Sequence, residues 1–184
     1  AKGLFQEAES SLLQAVSFCE KAAQLGWGGW ASGALGDLYS DMKAYEKAQF
    51  YYEKGISSLE PTRIYVSSVN LWKISSARTK VLNHNQDIDL SKVLDCYNDI
   101  NVKFVEGWAA RHLGEILLII DDQNPCKSED WVNKAIEADK RNDTRLSLGG
   151  DYVFYAEWFK RKGDLLKAKE NLATAIDVFK ECGA

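Results

Sequence analysis

Residues 35–55 read LGDLYSDMKAYEKAQFYYEKG. Here Leu35-Gly36-x2-Tyr39 is followed by Ala48-x3-Tyr52-x2-Gly55. The same order returns as Tyr155-Ala156-x2-Phe159, then Gly163-Asp164, then Ala168-x3-Leu172-x2-Ala175. Positions i, i+4 and i+7 share one face of an α-helix, so each stretch predicts two short helices folded back as a hairpin. Small residues at fixed offsets from large ones let two helix backbones come close. A hairpin of this kind leaves an apolar face uncovered and needs copies of itself to seal it. The pattern therefore predicts an all-α stack of hairpins.

The small residue opening each second helix serves as a ruler. It falls at Ala8, Ala48, Val93, Ser128 and Ala168. A bulky residue follows four positions later at Leu12, Tyr52, Tyr97, Val132 and Leu172, and Ala15, Gly55, Ile100, Ala135 and Ala175 come three further on. Reading backwards, Leu113-Gly114-x2-Leu117 precedes Ser128 with two extra residues. The loop Asp121-Asp122-Gln123-Asn124-Pro125 can absorb them, because Pro125 forbids a continuous helix. Trp72-x2-Ser75-Ser76-x2-Thr79 fits the second hairpin if the polar run from His84 to Asp89 holds an insertion. Gly26-Trp27-Gly28-Gly29 predicts a helix stop and turn. Helices are expected over roughly 30–42, 44–59, 62–83, 89–103, 105–121, 127–142, 145–162 and 164–181, after a loop and one helix in residues 3–25. No strand signal appears.

These motifs resemble the tetratricopeptide repeat, whose signature is W-x2-L-G-x2-Y in a first helix and A-x3-F-x2-A in a second. The copies at Leu35–Gly55 and Tyr155–Ala175 match at most positions and the middle two at half. The resemblance implies a right-handed superhelical solenoid of antiparallel helix hairpins. It spans residues 1–184 as a half repeat (1–27) and repeats near 28–61, 62–103, 104–143 and 144–184. The start at Ala1, already inside a repeat, leads us to expect a fragment of a longer chain. The long-helix look, with segments such as Lys134-Ala135-Ile136-Glu137-Ala138-Asp139, resembles the C-terminal repeat regions of bacterial multidomain signalling proteins. That resemblance implies a cytoplasmic setting.

Bulk properties narrow the function classes. An apolar share of 46% is enough for a packed core without disulfides or metal. A net charge of −4 argues against a nucleic-acid surface, which needs clustered Lys and Arg. No apolar run is long enough for a membrane span. Cys19, Cys96, Cys126 and Cys182 form no C-x-x-C pair and read as thiols in a reducing compartment.

The catalytic motifs are weak. His84 and His112 have no ligand-spaced partner. Asp121-Asp122 lacks the further oxygens and glycine of a calcium loop, and Gly26-x-Gly28-Gly29 is followed by no Lys-Ser/Thr. The serine pairs have no positioned histidine base. We expect no catalytic residue, no metal and no cofactor.

In such a stack the first helices line the concave side. The family's register then implies a partner-binding groove made of Trp30, Asp37, Asn70, Lys73, Trp108, Arg111, Glu115, Glu157 and Arg161. Trp30 and Trp108 occupy equivalent positions, as do Asp37, Glu115 and Glu157. Aromatic anchors beside carboxylates suit a peptide or helix with apolar and basic residues. The alternative is that both Trp pack between hairpins and that the acids pair with Lys73, Arg111 and Arg161. The Lys-and-Asn clamp with which some relatives hold acidic C-terminal tails is not met: Gly33 and Asp37, Lys73 and Ala77, and Arg111 and Glu115 stand in its places. The expected role is a non-catalytic scaffold for a protein or peptide partner, with homodimerisation through exposed terminal hairpins as an option. The alternative role is a regulatory sensor controlling an attached ATPase, kinase, nucleotide-cyclase or DNA-binding domain.

Overall fold

The computed structural model describes residues 2–85, 87–121 and 126–183. The chain falls into two compact units, Ala1–Asp99 and Ile100–Ala184. Unit 1 holds α1 (Lys2–Lys21), α2 (Leu25–Asp41), α3 (Tyr45–Leu59), a 3-10 turn (Glu60–Thr62), α4 (Val66–Leu82) and α5 (Leu90–Asn98). Unit 2 holds α6 (Lys103–Ile120), α7 (Cys126–Asn142), α8 (Arg145–Arg161) and α9 (Leu165–Glu181). Among the described residues there is no strand, and within each unit consecutive helices pack on one another. The architecture is the all-α series of hairpins that the repeated motif implies.

One turn geometry recurs. Ala23, Lys43, Asp143 and Gly163 sit in the left-handed region with φ of 53°, 59°, 54° and 81°. The following residue in each case donates its N–H back to the helix: Gln24 to the Cys19 carbonyl (2.8 Å), Ala44 to Tyr39 (2.8 Å), Thr144 to Asp139 (3.0 Å) and Asp164 to Phe159 (3.0 Å). This is the Schellman closure, which satisfies carbonyls that a helix end leaves open. The same residue then caps the next helix, so two or three residues reverse the chain. His84 ends α4 the same way, with φ 62° and the Asn85 N–H on the Lys80 carbonyl at 3.0 Å.

Several expected boundaries move. The glycine run 26–29 is not a turn; it lies inside α2, and the stop is at Ala23. Its glycines serve packing: a Cβ on Gly29 would enter the Leu59 side chain. Residues before Leu25 form α1 from Lys2 onward rather than a loop and a helix. Pro61 closes α3 in a 3-10 turn, so α4 begins at Val66. Helix α5 ends at Asn98, which leaves Ile100 outside any helix. The insertion expected between His84 and Asp89 falls between α4 and α5, and Gln86 within it lies outside the described residues. The helix break assigned to Pro125, and the rest of that loop from Asp122 on, lie outside the described residues.

The ruler residues form the hairpin seams. Ala48, Tyr52, Ser128, Val132 and Ala135 are fully buried, and Ala168 and Ala175 nearly so. Leu172 breaks the pattern: it is 44% exposed, on an outer face of α9 that also shows Leu165, Leu166 and Ile176. In the first hairpin of unit 1, Gly36 faces the Tyr52 ring, and a Cβ there would lie 2.5 Å from it. Gly55 rests on backbone: its Cβ would lie 2.9 Å from the Gly29 carbonyl oxygen and 3.2 Å from the Gly33 nitrogen. In unit 2 the seam is polar at one point, where Ser128 donates its hydroxyl to the Gly114 carbonyl at 2.8 Å.

Gly55→Ala puts a methyl into backbone that no rotamer change can relieve. We expect an overpacking cost of about 1–3 kcal/mol, opposed by about 1 kcal/mol of gained helix propensity, and so a lower urea midpoint. Ser57→Ala, on the exposed face of the same helix, should leave the midpoint unchanged or slightly raised.

Candidate interaction cleft

Unit 2 contains a cleft of about 400 Å³ lined by Phe104, Trp108, Arg111, Thr144, Arg145, Leu146 and Ser147. Helix α6 supplies the first three at i, i+4 and i+7, one helix face. The α7–α8 turn and the first turn of α8 supply the rest. Phe104 and Leu146 are 51% and 63% exposed. Trp108 is half-buried, and its indole N–H donates to the buried His112 Nε2 at 3.1 Å, which holds the ring in place. The mouth is therefore apolar, and its aromatic wall is anchored.

The floor is ionic. Arg111 donates from Nη1 to the Ser147 carbonyl (2.8 Å) and to Asp151 Oδ1 (3.0 Å), and its Nε lies 3.7 Å from Glu115. Gly150 makes room for the guanidinium: a Cβ there would collide with it. Asp151 and the neighbouring Asp139 are both fully buried. Thr144 caps α8 with its backbone, but its hydroxyl turns inward to Asp139 Oδ1 at 2.6 Å. Gly107 of α6 lies against the Asp139 carboxylate, where no side chain would fit. Burial pushes the Asp151 carboxyl up to about 9, aided by the adjacent Asp139 and opposed by Arg111.

Of the expected groove residues, Trp108 and Arg111 come together on this cleft, with Glu115 beside Arg111. Glu157 and Arg161 lie further along α8 and pair with each other at 3.5 Å on an exposed face; Lys160 also reaches Glu157 at 3.5 Å. In unit 1 Trp30 is half-buried and meets Trp72 edge-on, ring centroids 5.4 Å apart. Asp37 accepts the Tyr52 hydroxyl at 2.7 Å, Asn70 is buried, and Lys73 pairs with Glu60 at 2.6 Å. Asp37 and Glu115 are thus engaged within the fold, and Glu157 is paired on an exposed face. Lys73 takes Glu60 as its partner, while Arg111 and Arg161 do pair with Glu115 and Glu157.

Sequence reading missed Phe104, Leu146, Asp139 and Asp151. A signal existed for the two acids: Asp151 lies three residues from Leu148 and from Phe154, and Asp139 four from Ala135. Both are charges on an apolar register. Among the described residues, no group of three His, Cys, Asp or Glu is placed to hold a metal. No helix there is long and apolar enough to cross a membrane. The four cysteines are free thiols.

The tetratricopeptide repeat family model matches residues 31–58, which is α2 beyond its first turns and nearly all of α3. Neither the curated proteins nor the solved structures yield a match. That hairpin is a tetratricopeptide repeat, and the all-helical fold of packed hairpins around it is consistent with a tetratricopeptide-repeat protein. Repeats of this kind generally mediate protein–protein interaction and are typically non-catalytic scaffolds.

Thr144→Val keeps the shape of the side chain and removes the donor to Asp139. A buried acceptor left unsatisfied costs about 1–3 kcal/mol. The urea unfolding midpoint should fall accordingly, while Thr144→Ser, which keeps the hydroxyl, should stay near wild type.

Proposed function

We propose that the chain is a non-catalytic scaffold and that unit 2 grips a peptide or helix of a partner protein in the cleft between α6 and α8. The observation that carries this reading is the apolar mouth over an anchored wall: exposed Phe104 and Leu146 beside Trp108, whose indole is tied to His112. Clustered aromatic and arginine side chains at the centre of a concave patch are the usual seat of binding energy. A cleft of about 400 Å³ is the size that takes one or two bulky side chains.

An apolar side chain of the partner is the anchor in this reading. Glu115 and Glu157 do not call for a basic partner, because Arg111 lies beside the first and Lys160 and Arg161 beside the second. Trp30, Asp37, Asn70 and Lys73 enter the proposal only as a second surface on unit 1. Trp30 is the one of them with an aromatic face to offer.

Selection of a random peptide library on the immobilised chain tests the reading. Enriched peptides should share a bulky apolar residue. Leu146→Asp and Phe104→Ala change only exposed side chains, so helicity by circular dichroism should be kept, while binding of the selected peptides should weaken at least about tenfold. A library that yields no binder, or binders indifferent to both substitutions, refutes the cleft.

A further inference from the structure

Two carboxyl groups in unit 2 face each other out of reach of solvent. Asp139 of α7 and Asp151 of α8 are each 0% exposed. Each has one oxygen served by a donor: Asp139 Oδ1 by the Thr144 hydroxyl at 2.6 Å, and Asp151 Oδ1 by Arg111 Nη1 at 3.0 Å. The second oxygen of each, Oδ2, meets no donor from the protein. Asp139 is close enough to Asp151 to push its carboxyl upward, by its charge and by hydrogen bonding. Two carboxylates are acceptors only and cannot bond to each other, whereas one proton between them serves both orphaned oxygens at once.

The charges around the pair agree. From α6 come Arg111, which binds Asp151, and Glu115, which lies 3.7 Å from the same guanidinium. His112 of α6 is occupied by the Trp108 indole. From α7 comes Asp139 itself; Lys140, next along, lies over the Tyr152 ring instead. From α9 comes Glu181, held by Arg145 of α8 at 3.0 Å. One arginine stands against Asp139, Asp151 and Glu115 together. Two ionised aspartates at full burial would leave an excess negative charge there, which is costly.

We propose that Asp151, buried beside Asp139, is a proton-binding site: in the folded unit the Asp151 carboxyl keeps its proton and donates it to Asp139, and releasing it loosens the junction of α6, α7 and α8. The bond that breaks on release is the O–H of the Asp151 carboxyl, and the proton goes to solvent base. What remains is a pair of like charges on two helices joined by a two-residue turn. Arg111 is also a wall of the cleft, so the state of the pair alters the charge the cleft presents. That last consequence rests on the cleft being the binding surface; the proton site does not.

The direction of the pH effect follows. In the unfolded chain Asp151 ionises near its ordinary value of 3.8, and in the folded unit it does so only near 9. Between those values the folded state holds a proton that the unfolded state has lost. The contribution is therefore complete below 3.8 and declines as pH rises toward 9, by up to about tenfold in the folding equilibrium per pH unit.

Infrared spectroscopy of the intact chain is the test. At pH 7 the wild type should show a carboxylic-acid carbonyl band, which disappears as pH is raised through about 9. Asp151→Asn should lack the band. Its amide imitates the protonated acid, donating to Asp139 while still accepting from Arg111, so its stability should not fall between about pH 4 and about pH 9 as the wild type's does. No such band in the wild type at pH 7 overturns the proposal without any variant being needed. So does a band that survives in Asp151→Asn, or an Asp151→Asn chain whose stability falls over that range as the wild type's does. Binding of selected peptides plays no part in these readouts, so failure of the cleft reading would leave them intact.

Discussion

The structure depends on helices approaching until one backbone touches another. At Gly55 no atom separates α3 from α2; the Gly29 carbonyl and the Gly33 nitrogen occupy the space a Cβ would need. At Gly36 the place of the missing side chain is taken by the ring of Tyr52. Close packing at interior density makes such seams rigid, since any added methylene must displace its neighbours. In unit 2 the equivalent seam carries Ser128, whose hydroxyl is spent on the Gly114 carbonyl and so brings no unsatisfied group into the core. The short Schellman turns follow from the same constraint. A reversal that short holds the second helix against the first, and the bonds from Gln24, Ala44, Thr144 and Asp164 satisfy carbonyls the helix ends would otherwise leave open.

The ionic floor of unit 2 rests on two fully buried carboxyl groups, Asp139 and Asp151. Arg111 reaches Asp151 only because position 150 is glycine, and Asp139 fits only because position 107 is glycine. Thr144 gives up capping α8 with its side chain in order to reach Asp139. Three local preferences are thus given over to one buried cluster, and that cluster sits directly beneath the cleft. Concave site and buried charge are one construction. Unit 1 shows the neutral counterpart: there Ser40 and Thr79 meet at 3.2 Å, and Gln49 exchanges hydrogen bonds with Ser76.

Much of the fold was legible because helix periodicity and small–large offsets are local signals. The seam residues Ala48, Tyr52, Val132 and Ala135 were found that way, and all are fully buried. The turns were less legible. Ala23, Lys43 and Asp143 adopt a left-handed conformation that a glycine would have advertised, and the packing of the helices holds them there. The glycines that did stand out, Gly26 to Gly29, proved to be contact points inside a helix. Glycine means a turn in one setting and a close approach in another, and only the neighbouring helix decides between them. The candidate site was half legible. Trp108 and Arg111 follow from the register of α6, whereas Leu146 and Ser147 join them only because the α7–α8 turn brings the start of α8 alongside.

By itself the sequence determined the helices, their pairing into hairpins and the faces they bury, because these rest on periodicity and on residue size within one turn or one repeat. Tertiary structure decided which charges meet. Arg111, Asp139 and Asp151 come from three different helices, and no spacing along the chain encodes their contact. The distance between side chains on different helices depends on how closely the backbones pack, and that is settled only when every seam has closed.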